Sequence, residues 1–177
     1  AVEALKPIAQ HLEASVMKNE LANMTDVFNY AVGAARVTVN GSLVEAPDQV
    51  AFNFDGTNKG GSSIVKSGKV SSSASAQLTT LDSILRGRGY KIAAMKMDIE
   101  GYEGQALRGA TQFLKNPPCM LSVELNRPWL DRAGTPVEEV AELLTNAGFV
   151  LPVPTKEIQG LSNWVLFQKD MQGCMQR

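Results

Sequence analysis

The second half of the sequence alternates short apolar runs with helical patterns, and this alternation limits the chain to a small set of folds. Apolar runs occur at residues 92–99 and 119–125, and each is followed by a segment with helical spacing. Strands that alternate with helices in this way build parallel sheets with helices on both faces. Apolar residues run nearly without interruption along such strands, because both faces of the sheet are buried. We therefore predict an α/β fold with a mostly parallel sheet.

Local signals predict where several elements begin and end. Thr80 is expected to cap a helix over TTLDSILRGRG, and Thr135 is expected to cap a later helix that starts at Pro136. Asn40-Gly41 stands between branched residues, which is the strongest short signal for a hairpin turn. The tail supplies two strand candidates, and we expect them to form an antiparallel pair at one edge of the sheet.

One long segment departs from the regular pattern. Residues 53–76 are dominated by Gly, Ser, Asn and Lys and have no long apolar period. We interpret them as a loop inserted into a single domain that spans residues 1–177, because 177 residues suit one domain of ordinary size.

Charge and cysteine content exclude several classes of protein. The 17 Lys and Arg residues are balanced by 18 Asp and Glu residues, so nucleic acid is not an expected partner. No apolar run approaches the roughly 18 residues of a membrane helix, so no membrane partner is expected. One His and two Cys predict no metal site, no disulfide scaffold and a cytoplasmic location, with Cys119 a core residue rather than a nucleophile.

Charged residues lie where the predicted strands end. Lys96, Asp98 and Glu100 alternate along one face of their strand, Glu124 closes the next strand, and Glu3 closes the first. Ligands of open α/β sheets bind outside these carboxyl ends. Because such an apolar strand should be central, we expect partial desolvation of Lys96 and Asp98. A structural ion pair is the alternative interpretation of these charges. A carboxylate such as that of Glu3 suits a ribose diol.

In their order along the chain, several segments resemble the FkbM-type S-adenosylmethionine-dependent methyltransferases. LTTLDSIL is similar to that family's Thr-Leu-Asp segment. KMDIEGYEGQALRGATQFLK is similar to its K-(I/M)-D-(V/I)-E-G-x-E block with a Leu-x-Gly-Ala helix, and SVELNRP is similar to its strand ending in Glu. VEALKPIAQHLEASVMKNEL, FNYAVG and NKGGSS resemble further family segments. The resemblance implies a Rossmann-like class I methyltransferase sheet, mostly parallel with an antiparallel C-terminal edge.

The same resemblance implies O-methyl transfer from S-adenosylmethionine to a hydroxyl of a small molecule or glycan. Site residues follow from the matching positions. Glu3 would hold the cofactor ribose, Asn29 and Ala31 would lie beside the adenine, and Asp98 would lie near the amino acid moiety and the methyl. Glu100 and Glu124 would line the acceptor side. Asp98 or Glu100 is the predicted base, with Lys96 tuning the pair.

The family's first strand and its D-x-G-A-N-x-G turn have no counterpart in these 177 residues. In the family's sheet this strand lies between the strands that end at Glu3 and Glu100. We therefore expect either an open gap or a rearranged pairing at this place in the sheet. We also expect that the sequence is a fragment of a longer polypeptide or that the strand is supplied otherwise. A degenerate, non-catalytic Rossmann-like binding module is the alternative function. A dinucleotide-dependent oxidoreductase is a weaker third, because the sequence has no G-x-G-x-x-G.

Overall fold

A computed structural model describes residues 1–39, 42–46, 48–55, 58–65, 75–89 and 91–176. Helices and strands are interspersed along these residues, as the sequence predicted. The α-helices are α1 (Lys6–Lys18), α2 (Leu81–Leu85), α3 (Glu103–Arg108), α4 (Arg127–Ala133), α5 (Val137–Asn146) and α6 (Met171–Gln176). The strands are β1 (Ala31–Val32), β2 (Arg36–Val39), β3 (Ser42–Glu45), β4 (Gln49–Asp55), β5 (Asn58–Val65), β6 (Ser75–Thr79), β7 (Ala94–Met97), β8 (Met120–Asn126) and β9 (Leu161–Phe167).

The main hydrophobic core lies on one face of the sheet β7-β8-β9. β7 runs parallel to β8, and β9 runs antiparallel to β8. Alternate residues of β8, namely Leu121, Val123 and Leu125, are buried because their side chains all leave the same face. The helix α5 contributes Val140 and Leu144, which are fully buried in the same core. The antiparallel C-terminal edge expected from the sequence is confirmed by β9. The expected partner of β9 within the tail forms no strand, and among the described residues it contributes a single antiparallel bridge between Phe149 and Gln168.

The prediction of one mostly parallel sheet was wrong, although the α/β class is confirmed. A second sheet has the strand order β1-β6-β4-β5, and β2 and β3 form a separate antiparallel hairpin. Only β1 and β6 are parallel within the second sheet, because β4 pairs antiparallel with both β5 and β6. The hairpin predicted around Asn40-Gly41 agrees with the pairing of β2 with β3, while those two residues lie outside the described residues.

The interpretation of residues 53–76 as a loop was also wrong for the residues described there. The end of β4, all of β5 and the start of β6 fall in this segment, and residues 66–74 lie outside the described part. Gly, Ser and Asn have low strand propensity, but propensity is overridden where a neighbouring strand supplies hydrogen-bond partners. β4 is held in place by the buried side chains of Val50 and Phe52, and β5 then pairs along it.

Helix α2 and the segment after α3 connect the two sheets. Asp82 accepts hydrogen bonds from the backbone N–H groups of Gln112 (2.8 Å) and Phe113 (2.9 Å). Gly109 lies directly against the backbone of Gly33 beyond β1, where a Cβ atom would not fit. The Thr-Leu-Asp and Leu-x-Gly-Ala segments therefore have a structural role. The first holds the residues after α3 through Asp82, and the second packs through Gly109 against the backbone just beyond β1.

The edges of the two sheets leave an open space between them. Among the described residues, Val2 pairs only with Phe28, and β7 pairs only with β8. The segment at residues 1–5 and the strand β7 line the same cleft. Of the two arrangements expected at this point of the sheet, the open gap is the one observed.

The two helix caps predicted from the sequence have different outcomes. Thr80 caps α2, since its Oγ1 accepts a hydrogen bond from the N–H of Ser83 at 3.0 Å. Thr135 does not cap α5, which begins at Val137. The Thr135 side chain is instead fully buried against Gly104 of α3.

Cys119 and Cys174 form a disulfide, which the sequence analysis did not predict. It joins the residue before β8 to the C-terminal helix α6. Among the described residues, no helix has the length and apolar character to cross a membrane. The cytoplasmic location stays a prediction, and the disulfide weighs against it because such bonds persist mainly in oxidising compartments.

Candidate active site

A cleft of about 510 Å³ opens at the carboxyl ends of β1 and β7. Its walls come from three segments, at residues 1–5, 30–32 and 94–100, together with several side chains that pack behind them. This is where open α/β sheets bind ligands. Of the predicted site residues, Glu3, Ala31, Lys96, Asp98 and Glu100 line the cleft.

Lys96 and Asp98 form an ion pair at the end of β7. The Lys96 Nζ donates to the Asp98 carboxylate at 2.7 Å. This hydrogen bond raises the pKa of Lys96 and lowers the pKa of Asp98. The Lys96 side chain is 70% exposed, so the expected desolvation of this residue was wrong. β7 has a strand neighbour on one side only among the described residues, which leaves Lys96 open to solvent.

Glu124 is held next to Asp98 by the pairing of β7 with β8. Met97 is opposite Val123, so the residues that follow them, Asp98 and Glu124, emerge side by side. Burial and a hydrogen bond to Asp98 raise the pKa of Glu124 to about 7. The same hydrogen bond helps to lower the pKa of Asp98. The two carboxyl groups therefore titrate as a pair, in which Asp98 ionises first and Glu124 gains or loses its proton near neutral pH.

Glu100 is presented by a tight turn. Glu100 and Gly101 have φ values of 57° and 89°, and the Tyr102 N–H donates to the Ile99 carbonyl at 3.2 Å. Positive φ at both central positions is typical of a type I′ turn. Burial and the nearby charge of Asp98 raise the pKa of Glu100, so this acid keeps its proton to a higher pH than a free glutamate side chain does.

Glu3 lines the cleft, and Asn29 supports the segment that carries it. The Glu3 carboxylate accepts a hydrogen bond from the Leu5 N–H at 2.7 Å. Asn29 is not among the residues that line the cleft. Its side-chain amide donates to the carbonyl groups of Glu3 and Ala4, both at 2.9 Å. Asn29 therefore fixes the backbone that carries Glu3, whereas Ala31 is itself part of the cleft wall.

Two residues of the KMDIEGYE block were missed by the sequence analysis. Tyr102 lines the cleft, and burial raises the pKa of its hydroxyl. Glu103 is fully buried beneath the turn at Glu100 and accepts backbone hydrogen bonds from it. The signal that could have identified them is their place in the KMDIEGYE block, in which only Lys96, Asp98 and Glu100 had been given roles.

Comparison with known proteins identifies the family of the chain. A family model for the methyltransferase FkbM domain matches residues 1–151. No curated protein and no solved structure gives a significant match. The family model covers most of the 177 residues and includes every candidate site residue. The chain therefore belongs to the methyltransferase FkbM family.

Proposed function

We propose that the chain is an S-adenosylmethionine-dependent O-methyltransferase whose acceptor is a hydroxyl of a small molecule or glycan. The observation that carries the proposal is the pairing of β7 with β8, which sets the carboxyl groups of Asp98 and Glu124 side by side, with Asp98 in the cleft wall. A hydroxyl must lose its proton when it is methylated, and a carboxyl group whose pKa is near 7 suits that task. Membership of the methyltransferase FkbM family supports the methyl transfer itself.

The cleft fits the proposed cofactor in the chemistry of its walls, which combine carboxylate side chains with apolar ones. S-adenosylmethionine carries a methyl group that is already activated by a positive sulfur. We propose that Glu3 holds the ribose diol, that Ala31 packs against the adenine, and that Asp98 faces the charged amino acid moiety.

We propose the Asp98–Glu124 pair as the base, which modifies the expectation that Asp98 or Glu100 acts alone. Lys96 keeps Asp98 ionised and makes it a weak base by itself. Because Glu124 hydrogen-bonds to Asp98, a proton taken from the acceptor hydroxyl at the cleft wall can be kept on Glu124. Glu100 also lines the cleft and is proposed to contact the acceptor.

Catalysis should depend on pH through this pair. Below the pKa of about 7 the pair already holds its proton, so kcat/KM should fall by about tenfold for each pH unit and should be level above pH 8.

Stability should change in the opposite direction. Since folding raises the pKa of Glu124, its contribution is present at low pH and is lost as pH rises through 7. Activity and urea unfolding measured from pH 5 to 9 test both expectations. A flat activity profile would contradict the assignment.

The proposed function is tested by measuring cofactor binding and methyl transfer with the same chain. Calorimetry should detect S-adenosylmethionine binding, and Glu3→Gln should weaken it by about tenfold because hydrogen bonds to the charged carboxylate are lost. The exposed Glu142 of α5 provides a matched control, since Glu142→Gln should leave the affinity unchanged. Transfer of labelled methyl to a panel of hydroxyl compounds completes the test. Binding without any transfer would favour the non-catalytic alternative.

A further inference from the structure

We infer that Glu103 is a positioning residue, whose carboxylate holds the turn that sets Asp98 and Glu100 in place. The inference rests on the proposed function, because it assigns to Glu103 the arrangement of the acids that would serve methyl transfer. Glu103 is the last residue of the KMDIEGYE block and lies in the first turn of α3.

The turn at Ile99–Tyr102 requires a restraint from outside itself. Glu100 has a φ of 57°, a left-handed conformation that is strained for a residue with a Cβ atom. Such conformations persist where the surrounding structure fixes them, and they are concentrated at functional sites. The turn's own hydrogen bond joins the Tyr102 N–H to the Ile99 carbonyl at 3.2 Å. It does not use the N–H groups of Ile99 and Gly101, which lie on either side of Glu100.

The Glu103 carboxylate supplies this restraint. Its Oε1 accepts hydrogen bonds from the N–H of Ile99 at 3.0 Å and from the N–H of Gly101 at 3.3 Å. Ile99 directly follows Asp98, and Gly101 directly follows Glu100. One oxygen therefore fixes the backbone immediately after each of the two acids.

The side chain is confined to this role by its burial. Glu103 has no exposed surface, and no ion pair with it is found among the described residues. Burying a carboxyl group with no cation is costly, so a stabilising contribution from charge does not explain its presence. Gly101 also lies against Trp129 of α4, where a Cβ atom would not fit. The turn is thus restrained both by Glu103 and by α4.

Two substitutions separate the hydrogen bonds of Glu103 from its charge. Glu103→Gln removes the charge but keeps an oxygen that accepts from both N–H groups. Glu103→Asp keeps the charge but shortens the side chain by one methylene, so it no longer reaches both groups. Glu142→Gln is the control for loss of a surface charge. For each variant we would measure kcat, the KM for S-adenosylmethionine, thermal unfolding, and amide hydrogen exchange at Ile99 and Gly101.

The positioning role predicts a crossed result. Glu103→Asp should lower kcat by tenfold or more with little change in KM, and exchange at the two amides should become at least tenfold faster. Glu103→Gln should stay within threefold of the unchanged chain in kcat above pH 8 and in exchange. Equal losses in both variants would overturn the inference, and so would wild-type behaviour in both.

The outcome stays decisive in two other cases. If Glu103→Asp does not fold, Glu103→Gln decides alone, and a tenfold fall in its kcat or a tenfold rise in amide exchange overturns the inference. If the unchanged chain transfers no methyl group, the proposed function fails. The exchange rates at Ile99 and Gly101 still show whether Glu103 holds the turn.

Discussion

Replacing Glu124 with Gln should lower kcat by roughly 10²- to 10⁴-fold, which is the usual contribution of a general base. The amide keeps the size and hydrogen-bonding reach of the side chain, but it cannot take up the proton that Glu124 holds with a pKa of about 7. Glu124 does not line the cleft in which the cofactor is proposed to bind, so the KM for S-adenosylmethionine should change by less than threefold. Steady-state kinetics at pH 8 would measure both parameters.

The pH profile gives this experiment a second readout. The remaining activity of Glu124→Gln should no longer fall between pH 8 and pH 6, because the group that titrates there has been removed. Glu142→Gln, which removes an exposed acid on α5, should keep both the rate and the pH dependence. If Glu124→Gln kept more than a third of the wild-type kcat, Glu124 could not be the proton acceptor.

The acids of the site could be found from the sequence because charge is rare in buried strands. Lys96, Asp98 and Glu124 interrupt apolar runs near their ends, and the carboxyl ends of neighbouring parallel strands meet at one sheet edge. The structure brings these three residues together, as expected. Their roles in catalysis stay predictions. Lys96 is exposed because, among the described residues, β7 has a strand neighbour on one side only, so the gap expected beside this strand already argued against the desolvation expected of Lys96.

Local signals were reliable where the chain satisfies them within a few residues. The cap at Thr80 is such a case, because its bond to Ser83 stays within the first helical turn. Thr135 carries the same type of side chain, but the packing of α5 against Gly104 of α3 turns it into a buried contact. Tertiary contacts of this kind have no signature in the sequence around the residue.

The split into two sheets was missed for a related reason. The Gly- and Ser-rich composition of residues 58–65 favours a loop, but these residues pair along β4, which is anchored by Val50 and Phe52. Strand formation there depends on a partner that composition does not reveal. The strands that carry the acids, β7 and β8, could therefore be predicted from their pattern, whereas β5, which extends the other sheet, has the composition of a loop.

The Cys119–Cys174 bond could not be predicted either, because two cysteines 55 residues apart give no sign of whether they meet. Its effect on stability is calculable. A cross-link that closes a segment of this length restricts the unfolded chain and contributes about 4 kcal/mol in the chain-entropy model. This is a large fraction of the stability of an ordinary domain. The bond should therefore determine whether α6 remains attached to the start of β8 under denaturing conditions.

Cys174→Ser should accordingly lower the free energy of unfolding by about 4 kcal/mol, measured by urea denaturation. Cys119→Ser and the double variant should show the same loss as Cys174→Ser, since each removes the same single bond. A reducing agent should destabilise the unchanged chain by a similar amount and leave the three variants unaffected. Additive losses in the double variant would show that the cysteines contribute by packing rather than as a bond. Two free thiols in the purified chain, counted by mass spectrometry after alkylation, would show that the bond does not form.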